Sequence, residues 1–167
     1  MATKAVITLT TDFGYSDAYV AAMKGVILGI NPEAIIVAAD TLVILGGKIL
    51  GKPRDENEAV AILEALRGKR HRVTSGVIVL DVATREKREE VADTQVWMRD
   101  YSQEEIAHYI GRGEPFDKAG GYAIQDKGFR PAARVKGCYA NVMGLPLCHL
   151  YKALKRVGVN LSVPPLE

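Results

Sequence analysis

The chain has 167 residues, of which 48% are hydrophobic and 25% are charged, a balance typical of a soluble globular domain. Its 22 basic and 20 acidic residues give a net charge of +2, without the dominant basic stripe of a nucleic-acid-binding protein. No apolar run reaches the roughly 18 residues that a membrane span needs. We therefore expect no nucleic-acid partner and no membrane partner.

The first residues of the chain and the number and setting of its cysteines indicate the cellular compartment in which the protein works. The first four residues lead directly into a strand-like run and lack the long apolar region of a signal peptide. Cys138 and Cys148 make neither a disulfide framework nor a metal motif. Both lie in apolar segments, as free thiols in a reducing compartment do. These features predict a cytoplasmic protein.

The first 39 residues predict a strand, a helix and a second strand. Residues 5–11 are rich in Val, Ile, Leu and Thr, which is typical of a buried strand. Residues 17–30 carry apolar side chains at the spacing of one helix face, and Asn31 and Pro32 stop that helix. Residues 35–39 then form a strand that ends at Asp40. This order is typical of strands that pair in parallel.

The middle of the chain predicts a hairpin and a capped helix. Residues 41–49 read as a separate strand or hairpin that turns at Gly46 and Gly47. Asp55 is the N-cap of a helix that ends at Gly68. The apolar face of this helix comprises Ala59, Ile62, Leu63 and Leu66.

The second half predicts a hairpin and two more helices. Strands at 73–82 and 91–98 flank a charged, exposed turn. A capping box at Ser102 opens a helix that extends to about residue 110. A last helix covers about 147–157, and we expect its inward face to comprise Leu147, Leu150, Tyr151 and Leu154. Together these elements predict a single α/β domain over residues 1–167, with a mixed sheet flanked by helices.

Several motifs follow one another from about residue 36 to the C-terminus. They are Ala39-Asp40-Thr41, Leu50-Gly51-Lys52-Pro53, Gly68 with His71 and Val73, Lys118 through Gln125, and Gly137 through Pro146. In this order and spacing the chain resembles the Maf family of nucleoside-triphosphate pyrophosphatases, which implies a Maf-like (ITPase-like) architecture. The resemblance also implies hydrolysis of a nucleoside triphosphate to monophosphate and pyrophosphate with a divalent cation, Mg²⁺ or Mn²⁺. Two of these motifs, Ala39-Asp40-Thr41 and Gly68 with His71 and Val73, are more similar to the branch of the family that acts on dTTP and UTP than to the branch that prefers methylated guanine nucleotides.

The resemblance implies catalytic roles for Asp40, Lys52 and Gln125. The carboxylate of Asp40 can orient a water molecule or hold the metal beside the phosphates. Lys52 can offset charge on the transferred phosphoryl group. Gln125 can hydrogen-bond a base, a phosphate or the attacking water. Each residue also has an ordinary structural interpretation. Asp40 can cap a turn, Lys52 can be a solvated lysine, and Gln125 can be a polar residue at the end of a strand.

Further residues of the motifs are expected to contact substrate or to support the fold. Thr41, Lys118 and Gly120 are the expected substrate contacts, since glycine lets a backbone approach a ligand closely. Asn141 is expected to cap a helix, and His71 to be exposed in a basic turn. The resemblance is also compatible with a homodimer.

The first 37 residues depart from the Maf pattern. They lack the Ser-x-Ser-Pro-Arg-Arg loop whose guanidinium groups suit a triphosphate. Instead, the run through Asp12-Phe13-Gly14 to Asn31-Pro32 is similar to the start of the S-adenosylmethionine hydroxide adenosyltransferases, in which the Asp matching Asp12 contacts ribose. The sequence therefore predicts a chimera, natural or engineered. Residues 1–37 would be an exchanged strand–helix–strand unit, and residues 38–167 the Maf-like remainder.

The missing arginines affect the expected activity. Loss of one preorganised charge-stabilising donor costs about 3–4 kcal/mol in the transition state, so we expect weak or absent turnover. An inactive, folded chimera that still binds nucleotide is the alternative. A binder of adenosyl ligands ranks third, since a single partial motif supports it.

Overall fold

The computed structural model describes residues 5–9, 29 and 31–161. In chain order, the strands and helices are β1 Val6–Leu9, β2 Ile35–Leu45, β3 Lys48–Leu50, α1 Glu56–Leu66, β4 Arg70–Asp81, β5 Lys87–Met98, α2 Gln103–Ile110, β6 Ala132–Lys136, α3 Tyr139–Val142 and α4 Leu147–Arg156. A short 3₁₀ turn covers Ala119–Gly121.

The strands form one six-stranded sheet. Its order is β1-β2-β4-β5-β6, and β3 pairs with β2 outside this path. β1 and β2 are parallel, whereas the β2–β3 and β5–β6 pairs are antiparallel. The mixed sheet and its helices confirm the predicted α/β class, and the parallel first pair confirms the predicted pairing. The helix predicted at 17–30 lies outside the described residues, apart from Gly29.

Strand β2 is longer than the sequence analysis predicted. The prediction ended one strand at Asp40 and began another at Thr41, but a single strand of 11 residues runs from Ile35 to Leu45. The reason is that the residues after Asp40 are β-branched or aliphatic and continue an extended backbone readily. The predicted hairpin turn is confirmed at Gly46 and Gly47, whose φ angles of +56° and +84° suit a two-residue hairpin loop.

The chain divides into two compact units. The first comprises Met1–Asp40, Gly76–Val91 and Leu147–Glu167, and the second comprises Thr41–Ser75 and Ala92–Pro146. Each unit has its own hydrophobic cluster among the described residues. The single domain with a boundary at residue 37 stays a prediction.

The core of the first unit packs helix α4 against strands β2 and β4. Its buried members are Ile35, Val37, Val77, Val79, Ala153, Leu154 and Val157. Leu154 was expected to face inward and does, and Leu150 packs at the edge of this cluster. The expectation for Leu147 is wrong, because it is the first residue of α4 and is 37% exposed.

The core of the second unit is centred on three aromatic side chains. The rings of Tyr109 and Phe129 stack with centroids 4.4 Å apart, and Tyr101 lies 4.8 Å from Phe129. The Tyr101 hydroxyl donates to the Leu63 carbonyl at 2.7 Å, so its polar atom is satisfied although it is buried. The Tyr109 hydroxyl accepts the Ala123 N–H at 3.0 Å. The second of these bonds joins helix α2 to the segment that carries Gln125.

The predicted helix starts are confirmed. The Asp55 carboxylate accepts the Glu58 N–H at 2.8 Å and caps α1. Ser102 and Glu105 form the complete capping box of α2. None of the described helices is long and apolar enough to cross a membrane.

Candidate functional site

Asp40 and Thr41 are consecutive in strand β2, so their side chains point to opposite faces of the sheet. Asp40 is exposed and Thr41 is half-buried. The Thr41 hydroxyl donates to the Gly144 carbonyl at 3.2 Å and lies 2.6 Å from the Ser75 hydroxyl. Either hydroxyl of the Thr41–Ser75 pair can be the donor. A substrate contact through this hydroxyl would compete with two protein bonds, and it stays a prediction.

Lys52 lies on a loop that adjoins the Ala119–Gly121 turn. The Gly120 N–H donates to the Gly51 carbonyl at 2.9 Å, which fixes the two loops side by side. Lys52 is exposed at this junction. A hydrogen bond from Lys118 and, more weakly, the charge of Lys52 hold the pKa of Asp117 below its ordinary value. The structure thus brings together three residues that the sequence analysis selected: Lys52, Lys118 and Gly120.

The ammonium group of Lys118 already has protein acceptors. It donates to the Glu114 carbonyl at 2.7 Å and to the Asp117 carboxylate at 2.6 Å, and a Glu114 carboxylate oxygen lies 3.5 Å away. A phosphate group that binds Lys118 must therefore displace or share these oxygens. The role of Lys118 as a substrate contact stays a prediction.

The backbone of Gly120 lies close to another part of the protein, the side chain of Val43. It is buried, its φ is +75°, and a Cβ atom at this position would lie 3.0 Å from Cγ1 of Val43. Glycine is needed here for conformation and for packing against β2. This contact explains the residue type without a ligand, and a ligand contact at Gly120 stays a prediction.

Gln125 lines an open cavity of about 440 Å³ in the second unit. Its other lining residues are Ile124, Asp126, Lys127, Arg130, Ala132 and Tyr139. Gln125 is exposed, as its predicted contact with a nucleotide or water requires. The cavity falls within the range of volumes that small-molecule sites occupy.

Asp126 stabilises the loop around this cavity. One carboxylate oxygen accepts the Phe129 N–H at 2.6 Å, and the other accepts Nη2 of Arg112 at 2.8 Å. Partial burial alone would raise the pKa of Asp126. The hydrogen bonds from Phe129 and Arg112 outweigh this effect and hold the pKa below its ordinary value. Asp126 is therefore ionised at neutral pH, and its charge is paired.

Comparison with known proteins identifies the family. The Maf-like protein family matches residues 12–157, which is most of the chain. The chain belongs to the Maf family.

Three relatives of this Maf-family chain illustrate the similarity. The dTTP/UTP pyrophosphatase of Carboxydothermus hydrogenoformans is 47% identical over 126 residues, which cover 75% of this chain and 68% of the relative. That of Dictyoglomus turgidum is 48% identical over 129 residues, which cover 77% and 67%. That of Thermomicrobium roseum is 46% identical over 136 residues, which cover 80% and 61%. The chain thus spans about two thirds of the length of these relatives.

The family match bears on the predicted chimera. It begins at residue 12, so it includes most of the segment 1–37 for which the sequence analysis predicted another origin. It lends no support to an exchange of that segment. Asp12 lies outside the described residues. The resemblance of this segment to the S-adenosylmethionine hydroxide adenosyltransferases therefore stays a prediction.

The predicted metal ligand is Asp40. Within residues 5–9, 29 and 31–161, no group of three or more His, Cys, Asp or Glu side chains could hold a metal ion. Mg²⁺ commonly uses one or two carboxylates together with substrate phosphates and water, rather than a cage of protein ligands. The exposed carboxylate of Asp40 fits that mode of binding.

The prediction for His71 is wrong. His71 is 3% exposed, and its Nε2 lies 2.7 Å from the hydroxyl of Tyr122. Burial lowers the pKa of His71 to about 4, so the imidazole is neutral at physiological pH. The signal that could have revealed this is the alternation along β4, where His71, Val73, Ser75, Val77, Val79 and Asp81 all face inward.

The prediction of a helix cap at Asn141 is also wrong. Asn141 lies within α3 and is fully buried. Its Nδ2 is 3.0 Å from the Val73 carbonyl, 3.3 Å from the Ala92 carbonyl and 3.0 Å from the Thr94 hydroxyl. The amide therefore links α3 to strands β4 and β5. Sequence reasoning missed this link because the partners are 47 to 68 positions away.

Proposed function

We propose that this Maf-family chain hydrolyses nucleoside triphosphates to monophosphates and pyrophosphate. The observation that carries the proposal is the identity of 46–48% to three dTTP/UTP pyrophosphatases over at least 75% of the chain. We therefore also propose dTTP and UTP as substrates. We further propose that the protein works in the cytoplasm. We also propose that it forms a homodimer, which size-exclusion chromatography would test.

The reaction requires one water molecule. Its oxygen forms a bond to the α-phosphorus, the bond from that phosphorus to the bridging α–β oxygen breaks, and pyrophosphate leaves with the bonding electrons. The proton lost by the water passes to a base or to the products. Asp40 would hold the divalent cation, Mg²⁺ or Mn²⁺, which offsets the charge of the phosphate oxygens and favours a nucleophilic water.

The other proposed catalytic residues are Lys52 and Gln125. Lys52 is exposed on a loop that the hydrogen bond from Gly120 to the Gly51 carbonyl fixes in place, so its ammonium group can approach a phosphate from a supported backbone. Gln125 carries both a donor and an acceptor at the cavity wall. The amide can orient a water, a phosphate or a base.

The rate is expected to be low because the sequence lacks the Ser-x-Ser-Pro-Arg-Arg loop. Two missing cationic donors can each cost about 10²–10³ in rate. A second candidate function follows from the same observation: a folded protein that binds nucleotide without hydrolysing it.

The test is pyrophosphate release from dTTP, UTP and the other common nucleoside triphosphates, with Mg²⁺ or Mn²⁺. We expect release that is fastest with dTTP or UTP and that falls by about 10²–10⁴ in Asp40→Asn. Asp100→Asn, which removes another exposed carboxylate, is the matched control and is expected to retain the wild-type rate. Equal rates in Asp40→Asn and wild type would exclude the proposed role of Asp40. Nucleotide binding without any release would favour the second candidate function.

A further inference from the structure

The cavity beside Gln125 is positively charged. Lys127 and Arg130 line it, and the carboxylate among its described lining residues belongs to Asp126. That carboxylate is paired with Arg112, which lies outside the lining set, so it does not neutralise the two cations. The cavity therefore presents two cations and the amide of Gln125 to a ligand.

The loop that carries these cations is held by Arg99. Its Nε donates to the Arg130 carbonyl at 2.8 Å, and its Nη2 donates to the Phe129 carbonyl at 2.7 Å. The Arg130 N–H donates to the Asp126 carbonyl at 3.0 Å, which closes the turn. A loop fixed by this many hydrogen bonds presents its side chains with little ordering cost on binding.

Arg130 has an unfavourable backbone conformation. Its φ of +45° lies in the left-handed region, which costs a residue with a Cβ about 1–2 kcal/mol. Conformations of this kind persist where the surrounding structure enforces them, and they are concentrated at functional sites. Glycine or asparagine would fit this backbone better, so the arginine side chain itself requires an explanation.

We propose that Lys127 and Arg130, with Gln125, form a binding site for the pyrophosphate group of a nucleoside triphosphate or of the released product. The inference rests on the proposed function, because pyrophosphate is one of the two products of that reaction. A guanidinium group binds two phosphate oxygens in a fork, and an ammonium group adds a second charge. The site would supply part of the cationic environment that the absent Arg-Arg motif provides elsewhere in the family.

Pyrophosphate binding can be measured without turnover. Isothermal titration with inorganic pyrophosphate at low salt, with and without Mg²⁺, is expected to show binding to the wild type. Arg130→Gln and Lys127→Gln are each expected to weaken it at least about tenfold. The charge-matched controls are Arg70→Gln and Lys48→Gln, which alter exposed cations outside the cavity. Both controls are expected to bind as the wild type does.

Arg130→Gly separates a ligand-binding role from a structural one. Glycine adopts positive φ without strain, so this variant is expected to unfold at the same or a higher urea concentration than the wild type. It is also expected to lose pyrophosphate affinity as Arg130→Gln does. A variant that is folded and binds pyrophosphate as tightly as the wild type would overturn the proposal.

The two proposals can fail separately. If dTTP or UTP is hydrolysed but pyrophosphate affinity is the same in Arg130→Gln and wild type, the anion site is excluded and the enzyme function stands. If pyrophosphate binds through these two cations but no triphosphate is hydrolysed, the anion site stands and the enzyme function is excluded. If uridine, which lacks phosphate, loses affinity in Arg130→Gln to the same extent, the cavity binds the nucleoside and the proposal is overturned.

Discussion

Substitution of Gly120 by alanine should destabilise the second unit for two separate reasons. An alanine at φ +75° pays about 1–2 kcal/mol for the left-handed backbone conformation. Its Cβ would also lie 3.0, 3.2 and 3.3 Å from Cγ1, Cγ2 and Cβ of Val43. Overpacking of this kind costs typically about 1–3 kcal/mol, since a β-branched side chain on a strand has few alternative rotamers. The total expected loss is about 2–5 kcal/mol.

The neighbouring glycine provides a matched control. Gly121 also has a positive φ, +67°, but a Cβ there would meet its nearest neighbour, Cγ of Pro53, at 3.6 Å, which is ordinary van der Waals contact. Gly121→Ala should therefore lose about 1–2 kcal/mol, from conformation alone. The difference between the two variants isolates the contact with Val43.

Urea unfolding followed by the fluorescence of Trp97, the only tryptophan, would measure both losses. A Val43→Ala background removes the two closest contacts, those with Cγ1 and Cγ2, and leaves the contact with Cβ at 3.3 Å. Gly120→Ala should then cost little more than Gly121→Ala does, and the double-mutant cycle gives the energy of the contacts with the two Cγ atoms. Equal losses for the two alanine variants in the Val43 background would refute the packing argument. An undiminished loss for Gly120→Ala in the Val43→Ala background would refute it as well.

Three further predictions concern buried polar groups and a cap. Because the folded protein holds the pKa of His71 near 4, against 6.5 ordinarily, the unfolded chain takes up the proton first as pH falls. Stability should thus be unaffected by His71 above about pH 6.5 and should decrease by about 3 kcal/mol between pH 6.5 and 4. His71→Gln should show a shallower decrease in urea titrations, and an equal one would contradict the assignment. Asn141→Ala leaves two carbonyls and a hydroxyl without their donor and should cost about 2–3 kcal/mol in urea unfolding, whereas Asn160→Ala, at an exposed position, should cost little. Asp55→Ala removes the cap of α1 and should cost about 1 kcal/mol, and a loss no larger than that of the exposed Asn57→Ala would argue against the cap.

Much of the fold could be predicted because its signals are local. The caps at Asp55 and Ser102 and the turn at Gly46-Gly47 depend on residues within a few positions, and the structure confirms them. The position of Asp40 was mispredicted because a carboxylate suggests a strand end, whereas the aliphatic residues that follow continue the strand. The polar side chain of Asp40 was therefore a weaker indicator of where the strand ends than the strand preference of the residues that follow it.

The candidate site was less predictable because its contacts are between distant residues. The hydrogen bond from Gly120 to Gly51 joins two motifs that are 69 positions apart, and spacing alone did not indicate it. His71 follows two basic residues, so its local sequence suggested a solvated turn, while the alternation of β4 buries it. Lys127 and Arg130 belong to no motif that the sequence analysis selected. Their relation to Gln125 depends on a loop that Arg99, the residue after β5, holds through hydrogen bonds to the carbonyls of Phe129 and Arg130.

Exposure divides the motif residues into two groups with different expected phenotypes. Asp40, Lys52 and Gln125 are exposed and can meet a dissolved nucleotide. Thr41 and Gly120 contact other parts of the protein through the very groups that were expected to contact substrate. If the first group carries the chemistry, its conservative variants should reduce turnover while the urea midpoint stays unchanged. Variants of the second group should lower the urea midpoint first, and any loss of turnover should then follow the unfolded fraction. The Asp40-Thr41 pair is the sharpest case, because adjacent residues on opposite faces of one strand are expected to give opposite results.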